Sequence, residues 1–230
     1  MPTTSSIASN LSQIKTQINE MEKNASRSAD SVNLLAVSKR KPIEMIRAAA
    51  ANGQIRFGEN YAEEGAKKRE ALADLNLEWH YIGHIQSNKT RLISSVYDWV
   101  QSVDREKIAQ RLSAHRPPDL PELNICLQVN IDGELSKSGC KPADLEDLAA
   151  SVSTLKGLSL RGLMAIPAPQ NEVSAQRSVF RKLHGLYQQL KSNHPTLDTL
   201  SMGMTADMEA AIAEGATMVR IGTAIFGHRD

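Results

Sequence analysis

Leu34-Leu35-Ala36-Val37-Ser38-Lys39 is an apolar run that closes on a serine and a single lysine. An unbroken apolar run, without polar alternation, reads as a β-strand buried on both faces. Such strands belong to parallel α/β sheets, where ligands sit at the carboxyl ends of the strands. Lys39 stands at that end. A lysine held there and partly desolvated is suited to form a Schiff base with an aldehyde. The plainer alternative is a solvated lysine in a basic turn, because Arg40 and Lys41 follow and most lysines are exposed.

Similar runs follow at Ile55–Glu59, Trp79–Gly83, Trp99–Val103, Asn124–Asn130, Leu158–Ile166, Thr199–Met204 and Met218–Gly222. Helical patterns separate them at Pro42–Ala51, Tyr61–Leu75, Ser87–Ser95, Arg105–His115, Pro142–Leu155, Val173–Asn193 and Thr205–Gly215. Pro42 and Pro142 stand where a first helical turn tolerates proline, and Gly53 and Gly215 stand where helices end. Before the first strand, Ile7, Leu11, Ile14, Ile18 and Met21 step by three and four, which is one face of an amphipathic helix. Strands alternating with helices predict a single (β/α)8 TIM barrel over residues 1–230. The leading helix, within residues 1–30, fills the outer-ring slot that would otherwise follow the last strand. An open doubly wound sheet is the alternative, but no GxGxxG follows the first strand. The proline-rich stretch Arg116-Pro117-Pro118 reads as a loop, and no internal repeat is present.

Composition narrows the function classes. The net charge of +1 gives no global field for nucleic acid. No run approaches the ~18 apolar residues of a membrane span. Met1 to Ser6 carries no basic region before an apolar core, so a cytoplasmic location is expected. Cys126 and Cys140 fit neither a CxxC pair nor a zinc set, and read as reduced thiols.

The polar residues gather at the carboxyl ends of the strands, the active face of a barrel. Gly222-Thr223 leaves the last strand, and Ala224-Ile225-Phe226-Gly227 can begin a short helix. Backbone N–H groups there make an anion site, and the loops after strands seven and eight are the usual phosphate site of barrels. Ser201 and Thr205 can add hydroxyls. In Met218-Val219-Arg220-Ile221, Arg220 takes the face opposite Val219 and Ile221. If that face looks into the barrel, the arginine must be paired, with Glu59 for instance, or bound to a ligand. A lysine for an aldehyde, a phosphate cradle and an arginine for a pyridine ring together suit pyridoxal 5'-phosphate (PLP). His84 and His80 read more plainly as a surface and a satisfied core histidine. Asp207 and Glu209 suit a helix N-terminus. Arg40-Lys41 and Lys67-Lys68-Arg69 read as solvated faces.

Eight ordered motifs carry a resemblance: Val37-Ser38-Lys39, Phe57-Gly58-Glu59-Asn60-Tyr61, Trp79-His80-Tyr81-Ile82-Gly83, Gln86-Ser87-Asn88-Lys89, Lys137-Ser138-Gly139, Arg161-Gly162-Leu163-Met164, Ser201-Met202-Gly203-Met204 and Arg220-Ile221-Gly222-Thr223. From about Leu34 to Gly227 the chain closely resembles the YggS/PROSC family of PLP homeostasis proteins. The resemblance implies a barrel like the N-terminal domain of alanine racemase, with PLP held as an aldimine on Lys39. It implies Ser201, Gly203, Thr205, Gly222 and Thr223 around the phosphate and Arg220 at the pyridine nitrogen. Asn60 would line the ring, and Met164 would pack beside it. Thr205-Ala206 departs from the family's usual serine but keeps the hydroxyl, and His84 stands where members vary.

Three functions remain open from the sequence. One is a carrier that holds PLP for storage or delivery in vitamin B6 homeostasis, without catalytic turnover. The second is a PLP-dependent amino-acid racemase. The third is a barrel that binds a phosphorylated metabolite non-covalently, with Lys39 as a phosphate ligand. An arginine at the pyridine nitrogen makes a poorer electron sink than a carboxylate, and the chain ends at Asp230 without a second domain to supply a base. Both points favour the carrier. The expected partners are PLP and PLP-dependent apo-enzymes, with no membrane and no nucleic acid, and the expected state is a monomer.

Overall fold

The computed structural model describes residues 4–134 and 138–227, so Lys137 of the fifth motif lies outside the described residues. The strands are β1 Asn33–Val37, β2 Arg56–Glu59, β3 Glu78–Tyr81, β4 Trp99–Val103, β5 Leu123–Gln128, β6 Leu158–Met164, β7 Thr199–Ser201 and β8 Met218–Ile221. They form a closed barrel in chain order. All pairings are parallel, and β1 pairs with both β2 and β8, which closes the ring. The expected TIM barrel is present; the open sheet is not.

The helices are α1 Thr4–Asn24, α2 Ile43–Ala51, α3 Ala62–Ala71, α4 Thr90–Val96, α5 Glu106–His115, α6 Leu145–Ser153, α7 Val173–Asn193, α8 Met208–Ala213 and α9 Thr223–Phe226. Ile7, Leu11, Ile14 and Ile18 of α1 are buried, and α1 contacts α2, α8 and α9. Burying each such side chain contributes roughly 1.5–3 kcal/mol relative to exposure. The leading helix thus completes the outer ring, as its periodicity predicts. Gly53 and Gly215, past α2 and α8, take φ of 77° and 96°, the conformation that ends a helix.

The differences from expectation lie at element ends. Ser38 and Lys39 lie just past β1, with Lys39 in a turn rather than at the strand's last position. The segments expected to be helical from Ser87 and Pro142 begin as 3-10 turns. The helix expected from Thr205 starts at Met208, because the Asp207 carboxylate accepts the Met204 N–H at 2.6 Å and forms a turn first.

Alternation along the strands sorts the side chains into two cores. Leu34, Ala36, Phe57, Trp79, Val100, Ile125, Leu163, Leu200, Val219 and Ile221 belong to the large layer shared with the helices. Leu35, Ile82 and Met218 form a separate cluster, as do Trp99, Cys126 and Met164. These two small clusters hold the opposite parity and fill the lumen. Buried polar side chains share that parity: His80, Gln101, Ser201 and Arg220.

Candidate functional site

The turn after β1 is fixed from outside the barrel. The Ser38 hydroxyl donates to Glu59 Oε1 at 2.7 Å. Lys68, on α3, donates its ammonium to the Ser38 carbonyl at 2.7 Å, to Glu59 Oε1 at 2.8 Å and to Glu64 Oε1 at 2.6 Å. Glu64 in turn accepts the N–H of Arg40, whose φ of 58° marks the tight turn. Lys41 reaches across to the carbonyls of Phe226 and Gly227 at the end of α9. Ser38 therefore faces the helices, and Lys39 follows it half-buried on the turn, while Leu35 and Val37 of β1 share the lumen face. Burial raises the Glu59 pKa above the ordinary carboxylate value, opposed by Lys68 and Ser38.

This arrangement corrects two expectations. Lys68 is not part of a solvated face but a buried partner of Glu59, and Arg69 pairs with Asp98 at 2.8 Å. Nor does Arg220 pair with Glu59, whose strand parity turns it away from the lumen toward α3. Arg220 is instead buried among neutral acceptors. Its Nη1 donates to the Ser201 carbonyl and hydroxyl, each at 2.8 Å, and its Nη2 to the Ala165 carbonyl at 2.8 Å. Burial lowers its pKa to about 10, which still leaves it charged at neutral pH.

Ser201 lies beside Arg220 in the barrel interior. Its hydroxyl accepts from Arg220 and spends its one proton on Gln101 Oε1 at 2.7 Å, inside the barrel. The other expected cradle residues lie on the segments that follow β7 and β8. Gly222 precedes α9, and Thr223 is its exposed first residue. The first N–H groups of a helix have no partner within it. Thr205 is exposed on the turn after β7. Gly203 is buried with φ of 92°, and a Cβ there would meet the Ala211 Cβ at 2.5 Å.

Asn60 follows β2 and lines two adjoining clefts of about 430 and 250 Å³, both also lined by Gly83 and His84. Its Oδ1 is buried without a hydrogen-bond partner, an acceptor that a ligand could satisfy. Met164 packs in the lumen against Trp99 and Cys126. His84 offers its carbonyl to the Tyr81 hydroxyl at 2.9 Å. Among the described residues, no group of three His, Cys, Asp or Glu is placed to hold a metal, and no helix is long and apolar enough to cross a membrane.

Sequence reasoning missed Gln101, and it read Glu59 as a partner for Arg220 and Lys68 as part of a solvated face rather than as the brace behind the turn. Gln101 was legible only as a polar residue in an apolar strand. The Glu64–Lys68 spacing of four on a helix was a readable ion-pair signal.

Comparison with known proteins places this geometry. The alanine racemase N-terminal domain family matches residues 9–230. The pyridoxal phosphate homeostasis protein of Pseudomonas aeruginosa is 56% identical over 226 residues, covering 98% of this chain and 97% of that protein. PipY of Synechococcus elongatus PCC7942, solved with PLP bound, superposes with a TM-score of 0.84 at 37% identity, covering 96% of this chain and 100% of that one. Alanine racemase from Corynebacterium glutamicum shares the fold alone: 16% identity and a TM-score of 0.69, with 98% of this chain matching 61% of that one.

Proposed function

The chain belongs to the alanine racemase N-terminal domain family, together with the pyridoxal phosphate homeostasis proteins, and on that premise we propose that it binds PLP at the carboxyl mouth of the barrel. The residues present fit the cofactor. Lys39 stands half-buried on a braced turn at the carboxyl end of β1, and Asn60 Oδ1 is a buried acceptor without a partner. Gly222 opens α9 without a side chain, Gly203 packs its backbone against Ala211, and Thr205 and Thr223 expose hydroxyls. PLP supplies an aldehyde for an amine and a ring able to draw electrons from it.

The observation that carries this reading is the buried Arg220 beneath the mouth, whose hydrogen bonds go to neutral acceptors on Ser201 and Ala165. A buried cation with neutral hydrogen-bond partners, and with the Asp207 carboxylate favouring its charge, has a use when a ligand acceptor meets it. Arg220 donates only, so at the pyridine nitrogen it favours the unprotonated ring, which is suited to holding the cofactor more than to carbanion chemistry. Burial pushes the Tyr81 pKa to about 12, so this tyrosine beside the cleft is no base at neutral pH. The function that follows is intracellular PLP homeostasis, with the cofactor held for storage or for delivery to apo-enzymes by a cytoplasmic monomer without catalytic turnover.

Borohydride reduction of the PLP-loaded protein, followed by peptide mapping, tests the reading. The pyridoxyl label is expected on Lys39, and Lys39→Ala should take none at that site. A label mainly on Lys41 or Lys89 would overturn the assignment. Proton exchange at the α-carbon of alanine in deuterated water should stay well below about 1 per second, the lower end of enzyme turnover.

A further inference from the structure

A single file of hydrogen-bonded side chains, buried from Arg220 to His80, runs through the lumen from the mouth to the half-exposed pair at the opposite end of the barrel. Arg220 Nη1 donates to Ser201 Oγ at 2.8 Å, and Ser201 Oγ to Gln101 Oε1 at 2.7 Å. Gln101 Nε2 contacts His80 Nδ1 at 2.8 Å, and His80 Nε2 contacts Glu78 Oε1 at 2.8 Å. Arg56 closes the file, with its Nε 3.1 Å from the same Glu78 oxygen. Ser201, Gln101 and His80 are completely or almost completely buried. His80 is stacked on Trp99 at 5.2 Å between ring centres, so its ring plane is set. Gln101 Nε2 also touches the Met218 sulfur at 3.1 Å.

The chemistry of the two ends dictates the direction of every bond between them. An arginine can only donate and a carboxylate can only accept. Ser201 receives from Arg220, so its one hydrogen goes to Gln101 Oε1. That leaves the Gln101 amide nitrogen facing His80, which must accept at Nδ1 and carry its hydrogen on Nε2 toward Glu78. The file is therefore complete only with a neutral imidazole in the Nε2–H form. A protonated His80 donates from both nitrogens and forces the Gln101 amide to turn over. Its nitrogen then faces Ser201 Oγ, which receives two donors and must send its own hydrogen elsewhere. The arginine's support is disturbed from a group three links distant along the file.

We propose that Ser201, Gln101 and His80 are positioning residues that set the orientation of Arg220 beneath PLP, and that they tie its hydrogen bond to the protonation of His80. This rests on the reading of the mouth as a PLP site. The charged groups facing His80 come from three directions: Glu78 on β3 and Asp98 before β4 favour its protonation, and Arg56 on β2 opposes it. Burial outweighs them and lowers its pKa, so the neutral form that the file requires is the resting one at pH 7.

The test uses PLP-loaded full-length protein and its cofactor absorbance from pH 5 to 8. In wild type the band should be constant near neutral pH and change at acid pH, below the ordinary histidine value of about 6.5. His80→Gln should remove that pH dependence. Gln101→Glu, which accepts from both neighbours and so welcomes a protonated His80, should move the transition upward. Gln101→Leu should weaken PLP retention about tenfold, the loss expected for support of a charged donor. Nitrogen-15 NMR of histidine-labelled wild type should show His80 as the Nε2–H tautomer at pH 7, whatever the variants do. An Nδ1–H tautomer overturns the proposal, as does a cofactor band that is identical in wild type, Gln101→Leu and His80→Gln. Wild type that takes up no PLP at all would sink the cofactor reading and this inference with it, whereas normal uptake with unresponsive variants sinks the inference alone.

Discussion

Lys68 Nζ lies 2.8 Å from Glu59 Oε1, and both side chains are buried outside the barrel wall, directly behind the turn that carries Lys39. The pair is backed by the Ser38 hydroxyl and carbonyl, so the strand end, the helix and the turn share one buried charge pair. Lys39 owes its place to groups that never face the mouth.

Removing one member of this pair should cost more than removing charge from the other. Lys68→Met leaves Glu59 buried without its cation and should destabilise the protein by about 3–5 kcal/mol. Glu59→Gln should be milder, because burial already raises the carboxyl pKa and the amide oxygen can still accept. Urea unfolding of the two variants checks the order. Equal losses would show that the charge of Glu59 is not what Lys68 stabilises.

Phosphate holding should depend on backbone more than on hydroxyls. Thr205 is exposed, and a neutral hydrogen bond contributes only about 0.5–1.5 kcal/mol, so Thr205→Ala should weaken PLP retention less than about tenfold. Gly222→Val should be worse, since even a Cβ there approaches the Val37 carbonyl to 3.1 Å. Equilibrium dialysis against PLP and against pyridoxal should show a strong preference for PLP; equal affinity would remove the phosphate site.

Gly203→Ala should destabilise the fold itself, unlike Gly222→Ala. Gly203 combines φ of 92° with a Cβ position 2.5 Å from Ala211, whereas Gly222 has φ of −118°, which any residue adopts. A loss of about 1–3 kcal/mol is expected for the first. Thermal melts should place Gly203→Ala clearly below Gly222→Ala.

Stability should fall as pH drops below about 6.5. Burial lowers the His80 pKa in the folded state, so between that value and the unfolded value the unfolded chain binds the extra proton. The contribution is complete above about 6.5 and is lost as pH falls toward the folded value. Glu78 is also lowered overall, because His80 and Arg56 outweigh its burial, so its loss comes separately, below about 4.5. Chemical denaturation at pH 7.5, 6.5 and 5.5 should show a shallower slope in His80→Gln than in wild type.

Both thiols should be inert in the folded protein. Cys126 and Cys140 are buried, and burial raises both pKa values, that of Cys140 to about 12. A thiol reagent at pH 8 should label neither until denaturant is added, and then both. Fast labelling of either in native conditions would contradict the packing around β5.

The barrel was written in the sequence because its signals are local. Apolar runs at regular intervals, the three-and-four stepping of Ile7 to Met21, and glycines past α2 and α8 each depend on neighbours a few residues away. Lys39 and Arg220 were legible for the same reason: one ends an apolar run and the other breaks its alternation. What those residues meet was not legible. Glu59 was within reach of Arg220 by strand order, yet one step of parity sends it outward to Lys68, nine residues along its own chain. Ser201 looked like a phosphate donor, but its single proton goes to Gln101, one hundred residues away, because barrel closure brings β4 and β7 to face each other across the lumen. Strand pattern determines which face a side chain takes. Only closure of the barrel decides which side chains share that face, and a hydroxyl with one proton to give is committed by whichever acceptor it finds there.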